Sequence, residues 1–175
     1  FINDFMILNH LSITNYRNLQ IANLDFSPNV NCLVGANGMG KSNVLDAIYY
    51  LSFCRGFASA QDSANIHHAS DYFILEGDYQ LESGTVQHVC CSLKQGSPKR
   101  VKVDGKAVKR ISDHVGRIPM VMIAPADAAL ILGGSEERRR FMDMVIMQYC
   151  PSYLDALIRY EKALKQRNAL LKQED

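Results

Sequence analysis

The chain has 175 residues, 47% of them hydrophobic and 21% charged, and a formal net charge of +1. This length corresponds to one domain, or to one domain with part of a second, and the composition is that of a soluble globular protein. Because the sequence has neither a basic-then-apolar leader nor a run of eighteen apolar residues, we expect a cytoplasmic protein rather than a secreted or membrane-spanning one.

The first third of the chain predicts three strands, a helix and a loop. Apolar residues alternate in "LSITNYRNLQIANLDF", which is typical of two strands joined at residues 15–18. The short apolar run "VNCLVG", residues 30–35, is typical of a buried strand. Beyond a glycine-rich stretch, apolar side chains recur at helical spacing in "NVLDAIYYL". The stretch at 52–65 carries small and polar residues, which predicts a loop.

Two hairpins and a further strand are predicted next. Residues 72–94 are typical of a hairpin that turns at 82–84. The stretch "KRVKVDGKAVKR" predicts a second hairpin, whose Asp104-Gly105 turn requires positive φ. The apolar run "IPMVMIA", residues 118–124, predicts another buried strand.

Beyond Pro125 the chain is predicted to be helical. Ser135 is a plausible N-cap, followed by Glu136 and Glu137 in the first turn, where acidic side chains complement the helix dipole. Residues 152–175 carry a seam of alternating three- and four-residue spacing, which fits a coiled coil or, with so few heptads, one amphipathic helix packed on a lobe. The seam consists of Leu154, Leu157, Glu161, Leu164, Asn168 and Leu171.

Basic residues are concentrated around the second hairpin. Residues 94–117 contain eight basic and two acidic side chains, whereas the rest of the chain contains eleven basic and sixteen acidic ones. This asymmetry indicates a surface that faces a polyanion, although lysines that protect a solvated sheet edge give the same pattern. If the surface tracks DNA phosphates, its contacts would be Lys99, Arg100, Lys102, Lys109 and Arg110.

The cysteines and paired histidines predict no metal site. Five cysteines without C-x-x-C spacing are expected to be buried free thiols in a reducing compartment, and His67-His68 is too isolated to indicate a metal ligand set. The cysteines are Cys32, Cys54, Cys90, Cys91 and Cys150.

The stretch "GANGMGKS", residues 35–42, satisfies the phosphate-loop pattern G-x-x-x-x-G-K-[ST]. Its glycines allow backbone conformations closed to other residues and bring N–H groups against phosphate oxygens. Lys41 would reach the β- and γ-phosphates, and the Ser42 hydroxyl would be a Mg²⁺ ligand, so ATP and Mg²⁺ are the predicted cofactors. The predicted ligands are Gly35, Ala36, Asn37, Gly38, Met39, Gly40, Lys41 and Ser42.

The position of this loop in the chain favours an ABC-type head. Small nucleotide kinases usually carry the loop on their first strand, whereas here two predicted strands precede it and the sheet-rich residues 72–109 follow the helix. A small-molecule kinase is a further alternative, but it would need an arginine-rich lid and an acceptor pocket, and neither is visible.

Several stretches together resemble the RecF family of bacterial recombination and repair proteins, related to SMC-type ATPases. "LSITNYRNL", the phosphate loop with its helix, and "VKVDGKAVKRISDHVGRIPMVMIAPAD" are similar to the family's first strand, nucleotide site and hairpin. Many ATPases share the phosphate loop, whereas the pair of stretches "GGSEERRRFMD" and "KQRNALL" is far more specific to this family. The resemblance covers residues 6–172. It implies the N-terminal portion of a mixed α/β ATPase head, with a nucleotide-binding lobe and β-hairpin subdomain at 1–124 and a truncated helical lobe at 125–175.

What the resemblance implies is an ATP-binding protein of DNA repair, recombination and replication, and of the SOS response, that associates with single-stranded and gapped DNA. Such heads dimerise around ATP and act with RecR and RecO to load recombinase. Arg17 corresponds to an arginine beside the nucleotide, although the residues alone equally allow a surface charge at a turn. An alternative is a DNA-binding module in which the nucleotide is only regulatory.

Two elements of ABC-type hydrolysis are missing from the sequence. Hydrolysis needs an apolar strand ending in Asp-Glu, which holds Mg²⁺ and polarises water, and a serine-glycine signature loop. The chain contains no Asp-Glu dipeptide and no S-x-G-Q sequence. We therefore assign no catalytic residue, and we expect weak ATPase activity only from the intact family protein. Asp127 lies near the place where related heads often have a metal-sensing glutamine, and we assign it no role.

Overall fold

The computed structural model describes residues 6–57, 59 and 61–172. The chain divides into two compact units, residues 1–120 and 121–175. The sequence predicts a domain boundary between residues 124 and 125, which is close to this division. Whether the two units are separate domains stays a prediction. The first unit contains strands β1 (Met6–Tyr16), β2 (Leu19–Asp25), β3 (Tyr72–Leu81), β4 (Val86–Lys94), β5 (Arg100–Val103) and β6 (Lys106–Ala107), helix α1 (Lys41–Phe53), and 3₁₀ turns at Asp62–Asn65 and Ile111–Asp113.

The six strands form one antiparallel sheet in the order β2-β1-β3-β4-β5-β6. Strands that follow one another along the chain mostly pair as hairpins, and this confirms all three predicted hairpin connections. The turn at Asp104 and Gly105 has φ of 50° and 75°, as a two-residue turn between antiparallel strands requires. Local turn chemistry therefore specifies much of the sheet.

One face of the sheet packs against α1 and forms the core of the first unit. Alternation along β1 buries Leu11 and Ile13 completely, whereas the intervening Ser12 is only partly covered. Three aromatic rings meet between sheet and helix: Phe73 lies edge-to-face with Tyr16 and with Tyr50, at centroid distances of 5.2 Å. This packing holds α1, and the loop that precedes it, against the sheet.

Two predicted buried strands are absent. Residues 30–35 and 118–124 form no strand, and Val34 and Ile123 are 87% and 84% exposed. The reason is that a strand is stabilised only by pairing, and no described strand hydrogen-bonds to either segment. The prediction that all cysteines are buried is also wrong for the exposed Cys32, which lies in the first of these segments, whereas Cys54 and Cys91 are buried free thiols.

The second unit is helical, as predicted. A 3₁₀ turn at Pro125–Ala128 leads into α2 (Ala129–Leu132), α3 (Ser135–Tyr149) and α4 (Pro151–Leu171). Among the described residues, none of the helices is long and apolar enough to span a membrane.

The predicted N-cap of α3 is wrong by one residue. Ser135 is the first helical residue, Gly134 is the cap, and the Ser135 hydroxyl accepts a hydrogen bond from Arg139 instead of capping a backbone N–H. Glu136 and Glu137 lie in the first turn as predicted.

Helix α4 packs against α3 only over its first half. Tyr153 donates a hydrogen bond to Asp143, and Leu154 and Leu157 are half-buried. Leu164 and Leu171 are exposed, so the second half of the predicted seam has no partner within the described residues. The amphipathic-helix interpretation therefore describes the first half of α4.

A buried histidine links the 3₁₀ turn at Ile111–Asp113, which it follows directly, to helix α1. His114 is completely buried, its Nε2 donates to the Leu51 carbonyl at 2.6 Å, and its Nδ1 has no partner among the described residues. Burial lowers the pKa of His114 below its ordinary value of 6.5, because a charged ring would lose its hydration.

We predict that this histidine makes the fold sensitive to mild acid. The unfolded chain binds a proton near pH 6.5, whereas the folded chain binds it only at lower pH, so the free energy of unfolding should fall as the pH decreases from about 6.5. Urea denaturation between pH 7.5 and 5 should show this loss in the wild type and less of it in His114→Gln. The exposed His68→Gln serves as the control, and an equal pH dependence in His114→Gln and the wild type contradicts the prediction.

Candidate functional site

The glycine-rich loop, residues 35–42, runs directly into α1. Gly38 and Gly40 have φ of 82° and 97°, a region that favours glycine. Gly40 is also the N-cap of α1, and a Cβ there would lie 2.6 Å from Leu19 Cδ2. The left-handed backbone is strained for any residue other than glycine, and a Cβ would in addition displace the end of the Leu19 side chain.

The loop presents a row of unsatisfied donors. Among the described residues, the backbone N–H groups of residues 38–42 have no acceptor, whereas those of Asn43 and Val44 donate to the Gly40 carbonyl at 2.9 Å. No acidic residue lies in the first turn of α1. Because free N–H groups and the helix dipole both attract negative charge, this arrangement is suited to an anion such as a phosphate.

Lys41 and Ser42 lie at the start of the helix beside these donors. The Lys41 ammonium donates to the carbonyls of Gly35 and Ala36, both at 2.7 Å, and so ties the two ends of the loop together. Ser42 is exposed in the first turn, with its hydroxyl available to a metal ion bound to a phosphate.

Arg17 lies on the two-residue turn between β1 and β2. Its Nε lies 2.7 Å from Asp46 Oδ2, its guanidinium donates to Asn65 Oδ1 at 2.9 Å, and its side chain is only 20% exposed. Arg17 is therefore not a free surface charge at a turn. Its place beside a nucleotide stays a prediction.

Asp46 is the buried partner that organises this corner. Besides the ion pair with Arg17, its carboxylate accepts hydrogen bonds from the Tyr16 hydroxyl at 2.6 Å and from the Phe57 N–H at 2.5 Å. Burial, and then the hydrogen bond to Asp46, raise the pKa of Tyr16, so the hydroxyl stays a donor. Sequence reasoning missed Asp46 and Asn65; the one signal was an acidic residue inside the apolar run "VLDAIYYL".

The five basic residues predicted to contact DNA are not all equivalent. Lys99 is only 22% exposed and bonded to Asp62 at 2.8 Å and to the Cys54 carbonyl at 2.6 Å, so it holds the hairpin against the end of α1. Arg110 is exposed and pairs with Asp113 at 2.6 Å. Arg100 and Lys102 alternate with buried valines on β5 and so share the outer face.

Lys109 belongs to a separate cleft. It lines an open cavity of about 390 Å³, whose lining also includes two further basic residues, Lys106 and Arg117, and two acidic ones, Asp104 and Asp113. Of the five predicted contacts, Lys99 is thus the one that is largely buried, whereas Arg100 and Lys102 are exposed on one face, Lys109 is exposed at this cleft, and Arg110 is exposed but paired with Asp113. Asp127, to which we assigned no role, accepts a hydrogen bond from the Ala124 N–H at 2.7 Å and closes the 3₁₀ turn.

The chain belongs to the AAA ATPase domain family, whose sequence profile matches residues 6–171. Among curated relatives, the DNA replication and repair protein RecF of Phocaeicola vulgatus is 56% identical over 169 residues, and RecF of Bacteroides fragilis is 54% identical. Each alignment covers 97% of this chain and 46% of the relative. The chain therefore spans about half the length of the curated relatives it matches.

Solved structures agree. Two of them are RecF with ATPrS and RecF with ATP, described as the recombination mediator protein of the RecFOR pathway. They match this chain with TM-scores of 0.91 and 0.83, both at 32% sequence identity. The matches cover 98% and 96% of this chain and 46% of each solved chain. An SMC ATPase structure matches in fold, with a TM-score of 0.65 at 18% identity, over 79% of this chain and 99% of its own. These comparisons confirm the resemblance to the RecF family and the predicted mixed α/β head.

We predict that Asp46→Ala strongly destabilises the first unit. The substitution leaves the Arg17 charge, the Tyr16 hydroxyl and a backbone N–H without their shared acceptor, and breaking a buried ion pair typically costs about 3–5 kcal/mol. Urea denaturation measures the change in the free energy of unfolding. Asp25→Ala is the matched control, because it removes an exposed partner of His10 and should have a much smaller effect. Equal effects of the two substitutions contradict the prediction.

Proposed function

We propose that this chain binds ATP and Mg²⁺ through residues 35–42, as part of a RecF-like ATPase head. The observation that carries the proposal is the row of N–H groups without acceptors at residues 38–42, next to the Lys41 ammonium at the N-terminus of α1. Backbone donors and a lysine are the groups that recognise polyphosphates in such loops. The ATP-bound RecF structure supports the choice of nucleotide.

The residues present fit a magnesium ion held through the nucleotide. Mg²⁺ prefers oxygen ligands and binds through few protein groups together with substrate phosphates. The exposed Ser42 hydroxyl would supply the protein oxygen, while Lys41 and the backbone N–H groups bind the phosphate oxygens. Bound Mg²⁺ would neutralise charge on the β- and γ-phosphates.

We further propose that this chain alone turns ATP over slowly or not at all. Its sequence has no Asp-Glu dipeptide to position water at a metal ion and no S-x-G-Q loop. Residues 35–42 provide binding and orientation of the triphosphate, but no side chain in that stretch can act as a general base.

We predict that Lys41→Ala weakens ATP binding about 10- to 100-fold, because a charge-assisted hydrogen bond contributes about 1.5–3 kcal/mol and each 1.4 kcal/mol is tenfold. Isothermal titration with ATP and Mg²⁺ measures the affinity. Lys94→Ala, at an exposed lysine paired with Asp71, is the control. Equal affinity of Lys41→Ala and the wild type would reject the phosphate assignment, and steady ATP turnover by the wild-type chain would reject the proposal on hydrolysis.

We also propose that the outer face of β5 binds the phosphates of single-stranded or gapped DNA. Arg100 and Lys102 project from one face of the strand, and Lys109 lies at the neighbouring cleft with Lys106 and Arg117. Exposed cations in this arrangement can bind a polyanion without base readout. The names of the relatives support a role in DNA replication and repair.

For the longer protein to which this half corresponds, we propose the activities that the family resemblance implies. These are ATP-dependent homodimerisation, association with RecR- and RecO-type mediators, and help in loading recombinase onto gapped DNA in the cytoplasm, including during the SOS response. The description of the solved relatives as mediators of the RecFOR pathway supports this assignment.

We predict that Arg100→Glu combined with Lys102→Glu weakens binding to a gapped duplex. It should also reduce the dependence of log K on log salt concentration by about 2, because each phosphate contact contributes about 0.9. Fluorescence anisotropy at several salt concentrations measures both quantities. Lys162→Glu combined with Lys165→Glu, at exposed positions of α4, changes the net charge equally and is the control. The same loss in both double variants would indicate a net-charge effect and reject this face.

A further inference from the structure

The turn between β1 and β2 contacts the glycine-rich loop through Asn18. The Asn18 side-chain amide donates from Nδ2 to the Gly38 carbonyl at 2.7 Å, and its Oδ1 accepts from Asn43 Nδ2 at 2.6 Å. One side chain therefore joins the middle of the loop to the first turn of α1. Because Asn43 donates to the oxygen, the nitrogen of Asn18 is the atom that faces Gly38.

The turn that carries Asn18 is itself held firmly. Tyr16 and Leu19 are paired across it in the sheet, and Arg17 is anchored by Asp46 and by the side chain and backbone of Asn65. Leu19 lies against Gly40, close enough that a Cβ there would overlap it. Asn18 thus contacts the loop from a fixed point of the sheet.

The hydrogen bond to the Gly38 carbonyl has a consequence for the next N–H group. In a planar trans peptide the C=O and N–H bonds point in opposite directions. A Gly38 carbonyl directed toward Asn18 therefore directs the Met39 N–H, one of the donors without an acceptor among the described residues, away from the turn. If this peptide turned over, a carbonyl oxygen would point where the N–H does now and would repel an anion.

We propose that Asn18 is a positioning residue for triphosphate binding. It holds the Gly38–Met39 peptide so that its N–H, and not its carbonyl oxygen, faces the phosphates, and Asn43 keeps the Asn18 amide in the orientation that does so. This proposal rests on the proposed function of residues 35–42, and it assigns a role to two side chains outside the phosphate-loop pattern.

The test is isothermal titration of ATP with Mg²⁺ into the whole chain and its variants. Asn18→Ala should bind ATP about tenfold more weakly, since it removes two hydrogen bonds that together stabilise the binding geometry. Inorganic tripolyphosphate should lose affinity by the same factor, because the effect acts at the phosphates. Asn23→Ala, at an exposed position of β2, should bind like the wild type.

A second variant separates positioning from folding. Asn43→Ala should weaken binding severalfold, and the double variant Asn18→Ala/Asn43→Ala should be no weaker than Asn18→Ala, since both act through one amide. The backbone ¹⁵N resonance of Met39 should shift in both single variants, because the hydrogen bond at the Gly38 carbonyl of the same peptide is altered, while the free energy of unfolding changes little. If Asn18→Ala does not fold, Asn43→Ala decides by the same measurements.

The proposal is overturned if folded Asn18→Ala binds ATP with wild-type affinity. If Asn18→Ala does not fold, wild-type affinity of Asn43→Ala overturns it instead. If the wild type binds ATP in a Lys41-dependent manner while the asparagine variants bind equally well, only the role of Asn18 fails. If the wild type and Lys41→Ala are equally unable to bind ATP, the proposed function fails and this inference fails with it.

Discussion

The ion pair between Asp46 and Arg17 determines how the first unit is assembled around its loop. A carboxylate that is almost completely buried is tolerated only when partners replace its hydration. Its partners come from the end of β1, from the turn after it and from the chain beyond α1, so these three segments must converge on one side of the helix. That convergence brings the β1–β2 turn against the loop.

Interactions that are short in sequence could be predicted, and they include most of the sheet. The second hairpin follows from the Asp104-Gly105 turn, α1 from its apolar spacing, and residues 35–42 from a pattern that constrains backbone conformation directly. In each case the decisive contacts lie within a few residues, where residue type and spacing carry the information.

Contacts between distant residues could not be predicted. Arg17 and Asn65 are 48 positions apart, and no periodicity relates them. The apolar runs at 30–35 and 118–124 illustrate the opposite error: an apolar run indicates a tendency to be buried, but pairing depends on a neighbouring strand elsewhere in the fold. The position of Ser135 differs from prediction for a third reason, because a glycine immediately before it can also begin a helix.

The hydrogen bonds of Lys41 would affect both the affinity of the loop for a phosphate and the rate at which the phosphate binds and leaves. An ammonium group has three donors, and two of them already bind the carbonyls of Gly35 and Ala36. Under the proposed function, an incoming phosphate would compete with the protein's own oxygens, so the net contribution of the lysine to binding would be a difference between two sets of hydrogen bonds. In return the loop is ordered beforehand, which lowers the entropic cost of capture. If residues 35–42 bind a triphosphate as proposed, such a loop would favour rapid, reversible exchange of the ligand over very tight retention.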